Sequence, residues 1–363
     1  MAQSSNHPIE GDSCAAQSFR HPAEWEPHEA TWIGWPANRA DWPGKFAPIP
    51  WVYGEIVRKL SPGEIVRILV NSARHEVAAR RILKRVGVDP ARVEFFRFPT
   101  NRGWTRDSGP IFVKRSRPGP EVAIVRFRFN GWARYPDWQR DDAVPERVAE
   151  AFRLRLFPAK VAGRSFVLEG GSVDANGQGT LLTTEECLLD QTAQARNPGL
   201  TRPEIECALR EYLGVRKVLW LGRGIAGDDT HGHIDDVCRF VGPRTVVLCQ
   251  EDNPADPNYG PLEENRERLQ SMRLTDSSKI DVIPLPMPEP LFLDGQRLPA
   301  SYANFYIANA AVLVPTFNDP NDRVALGTLG ELFRDRPVVG IHAVDLGWGL
   351  GTLHCLTREQ PAV

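Results

Sequence analysis

The spacing of apolar residues changes repeatedly along this chain, from short continuous runs to patterns that recur every three or four positions. The runs are rich in Val, Ile and Phe and close on Pro, Gly or Asn, which predicts β-strands. They lie at Ala30–Trp35, Glu64–Val70, Val93–Phe96, Ile111–Val113, Val122–Phe129, Phe166–Leu168, Gly179–Leu182, Val218–Leu221, Val237–Val241, Thr245–Cys249, Ile280–Pro284, Asn304–Ile307, Ala311–Pro315 and Val338–Ile341. The three-and-four spacing predicts helices over Val52–Leu60, His75–Val86, Ala143–Phe152, Arg202–Leu213, Pro261–Arg273 and Asp322–Leu332. Thr201-Arg-Pro-Glu204 supplies a capping Thr, an early Pro and an acidic residue, the usual start of a helix. Strands and helices mix over the whole length, so residues 19–363 are read as one α/β domain and the polar residues 1–18 as a disordered tail.

Composition narrows the classes of function. The net charge is −2 and no Lys/Arg block stands out, which argues against nucleic acid or an anionic membrane as partner. No apolar run reaches the roughly 18 residues needed to span a bilayer. Six cysteines are scattered without Cys-x-x-Cys pairs, so neither a disulfide framework nor a structural zinc site is expected, and the setting is read as reducing and cytoplasmic.

Four polar clusters could carry chemistry. Gly227-Asp-Asp-Thr-His-Gly-His-Ile-Asp-Asp236 packs two histidines and four carboxylates behind a predicted strand. It is either a solvated acidic loop or an acid–base site, and an extended backbone would put His233 and Asp235 on one face. The His231, His233, Asp235 string also suits zinc, with His354 as a further candidate ligand. Trp104-Thr-Arg-Asp-Ser-Gly-Pro110 offers Asp107 in a short turn, where it could pair with Arg106 or face a site. Val167-Leu-Glu-Gly-Gly-Ser172 ends an apolar run on Glu169, and Trp348-Gly-Leu-Gly-Thr-Leu-His-Cys355 places Cys355 after two glycines. Cys355 alone reads as a small buried residue; beside a His/Asp pair it becomes a candidate nucleophile. Gly222-Arg-Gly-Ile-Ala-Gly227 matches a dinucleotide fingerprint, but two aspartates follow it and no helix is predicted there, so no cofactor is expected. Asp107 to Glu169 is 62 positions and Glu169 to His233 is 64, with Cys355 two looser intervals on, which suits repeated units that each send one residue towards a common axis.

In chain order these segments resemble the agmatine deiminase family, which includes bacterial-type peptidylarginine deiminases. The similarity starts at Pro22-Ala-Glu-Trp-Glu-Pro-His-Glu-Ala-Thr-Trp-Ile-Gly-Trp-Pro36 and runs through the clusters above, Phe129-Asn-Gly-Trp132, Ser301-Tyr-Ala-Asn-Phe305 and Asp319-Pro-Asn-Asp322 to His354-Cys355. It implies a pentein-type α/β-propeller, five ββαβ units in pseudo-fivefold symmetry around a central pocket. It implies Cys355 as nucleophile, His233 as acid/base, Asp107 and Asp235 as carboxylates on a guanidinium, and Glu169 in support. Trp35, Trp104, Trp132 and Asp229 are expected beside the small cationic guanidine substrate, with no metal. A homodimer is compatible with the sequence. The implied reaction is hydrolytic deimination, of agmatine first and of another guanidine or peptidyl arginine second. A zinc hydrolase on His231, His233 and Asp235 stands as the rival from another class, and a non-catalytic binder of cationic ligands as a third reading. The sequence departs from the family at His231, in the loop Gly349–Cys355 and in the short segment after Trp132.

Overall fold

Five times the chain lays down the same motif: two antiparallel strands, a helix, and a third strand parallel to the second. A parallel return cannot be made by a tight turn, so each unit needs its helix as a crossover. The structure is a computed structural model that describes residues 13–363. Unit II uses Ile111–Arg115, Glu121–Arg126, helix Val144–Phe152 and Arg155–Pro158. Unit III uses Asp174–Ala175, Thr180–Thr184, helix Arg202–Leu213 and Lys217–Leu221. Unit IV is Cys238–Phe240, Thr245–Gln250, helix Tyr259–Ser271 and Asp281–Pro286. Unit V is Tyr306–Ile307, Val312–Thr316, helix Asn321–Leu332 and Val338–His342.

Unit I is assembled from both ends of the chain. Strand Thr357–Pro361 pairs antiparallel with His28–Gly34, which pairs parallel with Ile65–Leu69 across helix Ile49–Leu60. Helix Ala73–Arg85 and strand Val93–Phe96 extend this sheet by one strand. Successive units touch, and unit V returns to unit I where helix Ile49–Leu60 meets strand Val338–His342. The ring is therefore closed, and the α/β class read from the chain and the five units implied by the family resemblance are present.

The helices sit on the sheets by one face, as their periodicity requires. Helix Ile49–Leu60 buries Ile49, Tyr53, Ile56, Val57 and Leu60, spaced by one, three and four. Helix Arg202–Leu213 has the capping box at Thr201 and Glu204 and ends on Gly214 in the left-handed region (φ 62°). Middle strands such as Thr180–Thr184 are buried throughout, because sheet neighbours flank them on both edges and side chains cover both faces.

Two readings of the strands change. Phe166–Leu168 is not a strand; only Val167 makes an isolated bridge, to Arg128. Thr357–Pro361 is a strand that no apolar run announced. Within the expected tail, Ser13 and Cys14 are buried and Ala15–Gln17 form an exposed to half-buried 3-10 turn, while the rest lies outside the described residues.

The feature that matters for function recurs just before the first strand of each unit. There the chain makes a short helical turn or bend at the inner end of the sheet. Unit II has Thr105–Ser108, unit III Gly170–Ser172, unit IV Ile234–Asp236, unit V the segment Ser301–Asn304, and unit I the turn Leu353–Leu356.

Candidate active site

These five segments bring Asp107, Glu169, His233, Asp235, Asn304 and Cys355 together. The uneven interval between His233 and Cys355 is explained by unit V, which contributes Asn304. His233 precedes a 3-10 turn and is not in a strand, so the expected extended pairing with Asp235 is replaced by a turn that folds both side chains inward. Its Nδ1 lies 3.7 Å from Asp107 Oδ1 and 3.9 Å from Asp235 Oδ1, and its Nε2 lies 3.7 Å from Glu169 Oε2. Neither ring nitrogen has a hydrogen-bond partner among the described residues, nor has Asp235 Oδ1. Polar atoms buried this way are costly unless a ligand meets them.

Gly171 makes the convergence sterically feasible. A Cβ there would stand 2.6 Å from His233 Nδ1 and 2.8 Å from Asp107 Oδ1, so any side chain would push the site apart. Its backbone N–H instead donates to Asp107 Oδ1 (3.0 Å), while Trp132 Nε1 donates to Oδ2 (2.9 Å). Arg196, which the sequence reading did not single out, donates from Nε to both oxygens of Glu169 (3.1 and 3.3 Å). Asn304 Nδ2 donates to Cys355 Sγ (3.3 Å).

Burial and charge act on each group differently. Burial, with Asp235, Asp236 and Asp107 nearby, holds the Cys355 thiol well above its ordinary pKa. Burial would lower His233, but Asp107, Cys187 and Glu169 outweigh it and raise its pKa well above the ordinary value. Burial raises Asp107, reinforced by Asp235 and Glu169. For Glu169 burial is overcome by Arg196 and His233, which pull its pKa down to about 2. For Asp235 burial is overcome mainly by His354, so its pKa is lowered.

Beneath this layer lies a second set of buried charges, of which the sequence reading named His354 and Arg106 in other roles and passed over Glu24, Arg239 and Glu359. His354 Nδ1 meets Asp235 Oδ2 at 2.6 Å and its Nε2 meets Glu24 Oε2 at 2.7 Å. His354 is thereby locked between two carboxyl groups, one at each ring nitrogen. Arg106 also donates to Glu24 Oε2 (3.0 Å) and to Glu359 Oε2 (2.7 Å), so it does not pair with Asp107. Arg239 stands 3.0 Å from Glu24 Oε1, which also accepts from Ile307 N (2.8 Å). Glu24 sits inside the Pro22–Pro36 segment, yet nothing around it in sequence signals burial.

Above the site, a narrow pocket leads to Cys355 between Trp104, Trp132, Tyr135, Asp229 and Leu350. Asp229 accepts from Tyr135 Oη and pairs with Arg134 Nε (3.0 Å). Trp35 is not in the pocket; it packs edge-on to Tyr53 in the core, 5.9 Å between centroids. His231 is in the left-handed region (φ 66°) and aims at Asp190 (3.3 Å), away from His233, which counts against the rival His231–His233–Asp235 zinc set. Among the described residues, the one group of three such donors within reach of a shared ion is Glu169, Cys187 and His233. The Gly222–Gly227 string opens no helix, as expected. A wider groove of about 660 Å³, near Arg20, Gly177 and Thr275, shares no residue with this pocket and gathers none of its chemistry.

The profile of the Porphyromonas-type peptidyl-arginine deiminase family matches residues 20–361. The chain belongs to that family. An agmatine deiminase of Medicago truncatula is 37% identical over 377 residues, 95% of this chain and 97% of its own. One from Pseudomonas aeruginosa (strain LESB58) is 35% identical over 370 residues, covering 96% of each chain. The solved agmatine deiminase of Enterococcus faecalis superposes with a TM-score of 0.87 at 32% identity, over 98% of this chain and 99% of that one. No helix among the described residues is long and apolar enough to cross a membrane. At the mouth, Ala133–Trp138 carries Arg134 and Tyr135 onto Asp229, and Gly349 and Gly351 pack against Trp104.

Proposed function

We propose that this protein hydrolyses agmatine to N-carbamoylputrescine and ammonia, with Cys355 as nucleophile and His233 as general acid and base. The observation that carries this reading is the ring of buried carboxylates, Asp107, Asp235 and Glu169, beside a buried thiol, with Asp235 Oδ1 and both His233 nitrogens lacking a hydrogen-bond partner among the described residues. A guanidinium is a planar cation whose N–H groups match that ring. Asp235 Oδ1 and Asp107 take its N–H pairs and hold its carbon over Cys355 Sγ. Asp229, at the mouth, takes the ammonium at the far end of agmatine in exchange for Arg134.

The raised pKa of Cys355 fits this order of events. With the pocket empty, three carboxylates oppose a thiolate; the arriving cation offsets them, and the thiol proton leaves to solvent. Sulfur then attacks the guanidinium carbon. The His233 imidazolium protonates the departing nitrogen, the C–N bond breaks, and ammonia leaves an S-alkylthiouronium on Cys355. Neutral His233 next takes a proton from water, whose oxygen attacks the same carbon. The C–S bond breaks and the hydroxyl proton of the adduct passes to solvent, where the released ammonia takes it up as ammonium; the ureido product leaves, with both the thiolate and the imidazolium restored. His354 and Glu24 touch neither substrate nor sulfur in this scheme; they fix the rotamer of Asp235 so that Oδ1 faces the pocket.

Ammonia release from agmatine, free arginine and an arginine peptide, each in excess EDTA, tests the proposal. Turnover of agmatine far above the other two is expected. Preference for the peptide would move the substrate to protein, and release from none of them would overturn the reading.

A further inference from the structure

Cys187 is buried beside the site and has no part in the reaction above. It lies in the turn Glu185–Leu188, pinned by its backbone N–H donating to Thr184 Oγ1 (3.1 Å). Its Sγ, a Glu169 oxygen and a His233 nitrogen all lie within 4.8 Å of one another. Zinc bonds of about 2.0–2.3 Å to O, N and S in tetrahedral geometry put the donors roughly 3.3–3.7 Å apart. The separation between Glu169 Oε2 and His233 Nε2, 3.7 Å, already meets that spacing.

A separate observation points to a ligand. His233 is 1% exposed, yet neither of its nitrogens has a hydrogen-bond partner among the described residues, and Nε2 is aimed at this group. Glu169 is held from behind by Arg196, the kind of outer support that fixes a ligand's orientation. Mixed thiolate, imidazole and carboxylate donors select a zinc-class ion over magnesium or calcium.

We propose that Glu169, Cys187 and His233 form an inhibitory site for Zn²⁺. On binding, one Zn–S, one Zn–N and one Zn–O bond form. The Cys187 thiol proton and one His233 proton pass to solvent, and nothing is oxidised or reduced. The ion captures the nitrogen that must give and take protons, so turnover stops until a chelator removes it. The inhibitory part rests on the role assigned to His233; the binding part does not.

The test uses the full chain in four forms: intact, Cys355→Ser, Cys187→Ser and Glu169→Gln. Co²⁺ is the spectroscopic probe and Zn²⁺ the competitor. One equivalent of Co²⁺ with a thiolate-to-cobalt charge-transfer band is expected in the intact and Cys355→Ser proteins and is displaced by Zn²⁺. The band is lost in Cys187→Ser and weakened in Glu169→Gln, with unchanged circular dichroism showing that both remain folded. In ammonia release, Zn²⁺ inhibits the intact protein and EDTA restores it. Cys187→Ser, judged against its own metal-free rate, needs at least tenfold more Zn²⁺. A band lost in Cys355→Ser and kept in Cys187→Ser would overturn the site by placing the ion on the nucleophile. Stoichiometric binding at Cys187 without inhibition would overturn the inhibitory role and expose an error in the role of His233.

Discussion

Two layers of buried charge lie on the axis of this ring, and they are built on opposite principles. The floor, made of Glu24, His354, Arg106, Arg239 and Glu359, has every carboxylate engaged: both oxygens of Glu24 are held, and Glu359 takes Arg106. Its atoms without a hydrogen bond, Arg239 Nε and Nη2, belong to a cation that still stands within 3.5 Å of Glu24 and Asp174. The layer above, Asp107, His233 and Asp235 beside Cys355, leaves both His233 nitrogens and Asp235 Oδ1 without partners. Their pKa directions follow the same split. Glu24 and Glu359 overcome burial through their cationic neighbours and are lowered, whereas Asp107 and Cys355 are raised. Satisfied buried charge holds a structure in one arrangement, and unsatisfied buried charge waits for a ligand. Asp235 joins the two, with Oδ2 on His354 and Oδ1 facing the pocket.

Breaking the upper layer should cost activity and spare the fold. Cys355→Ser, His233→Ala and Asp107→Ala are expected to cut kcat/KM for agmatine by at least about a thousandfold, measured by ammonia release. The milder Asp107→Asn should be as inactive while keeping or raising Tm. The fold raises the pKa of this carboxyl, so its charge costs stability at neutral pH, and the amide removes that cost.

Breaking the floor should do the reverse. Glu24→Gln strips a buried carboxylate from His354, Arg106 and Arg239 and is expected to cost about 3–5 kcal/mol in denaturant unfolding. Its activity loss, read at a temperature where it stays folded, should be smaller than that of the upper-layer variants. Equal loss in both layers would erase the distinction.

Acid sharpens the contrast further. Glu169 and Glu359 have pKa values lowered to about 2, so their contribution is complete above the ordinary value of 4.5 and disappears as pH falls towards 2. Stability should fall across that window, and Glu359→Gln should flatten the fall. The smallest effect is expected at the mouth. Arg134 is half-exposed on Asp229, so Arg134→Ala should lower KM for agmatine a few-fold and leave kcat unchanged.

The sequence disclosed the layer that does chemistry better than the layer that supports it. Asp107, Glu169, His233 and Cys355 stand among glycines and turn residues, where the chain is shaped around them, and their near-regular spacing reflects the repeating unit. Glu24 and Arg239 sit in ordinary surroundings, His354 was named only as a possible metal ligand, and only closure of the ring makes the three neighbours. Strand Thr357–Pro361 was invisible for the same reason. Its Arg358, Glu359 and Gln360 are buried against charged partners rather than apolar ones, so no hydrophobic run betrays it. Trp35 erred the other way, since an aromatic near polar motifs in sequence proved to be a core residue. Periodicity reports burial in apolar surroundings, which is why helix Arg202–Leu213 was read to the residue and the polar axis was not.

The central claim is that Cys355 forms a covalent bond to the guanidinium carbon. Acid quenching of the protein during agmatine turnover, followed by mass spectrometry of the peptide carrying Cys355, tests it directly. A mass gain equal to agmatine less ammonia on Cys355, with no turnover in Cys355→Ser, is the predicted result. Ammonia release that persists in Cys355→Ser, or proceeds with Cys355 unmodified across the whole quench series, would contradict it.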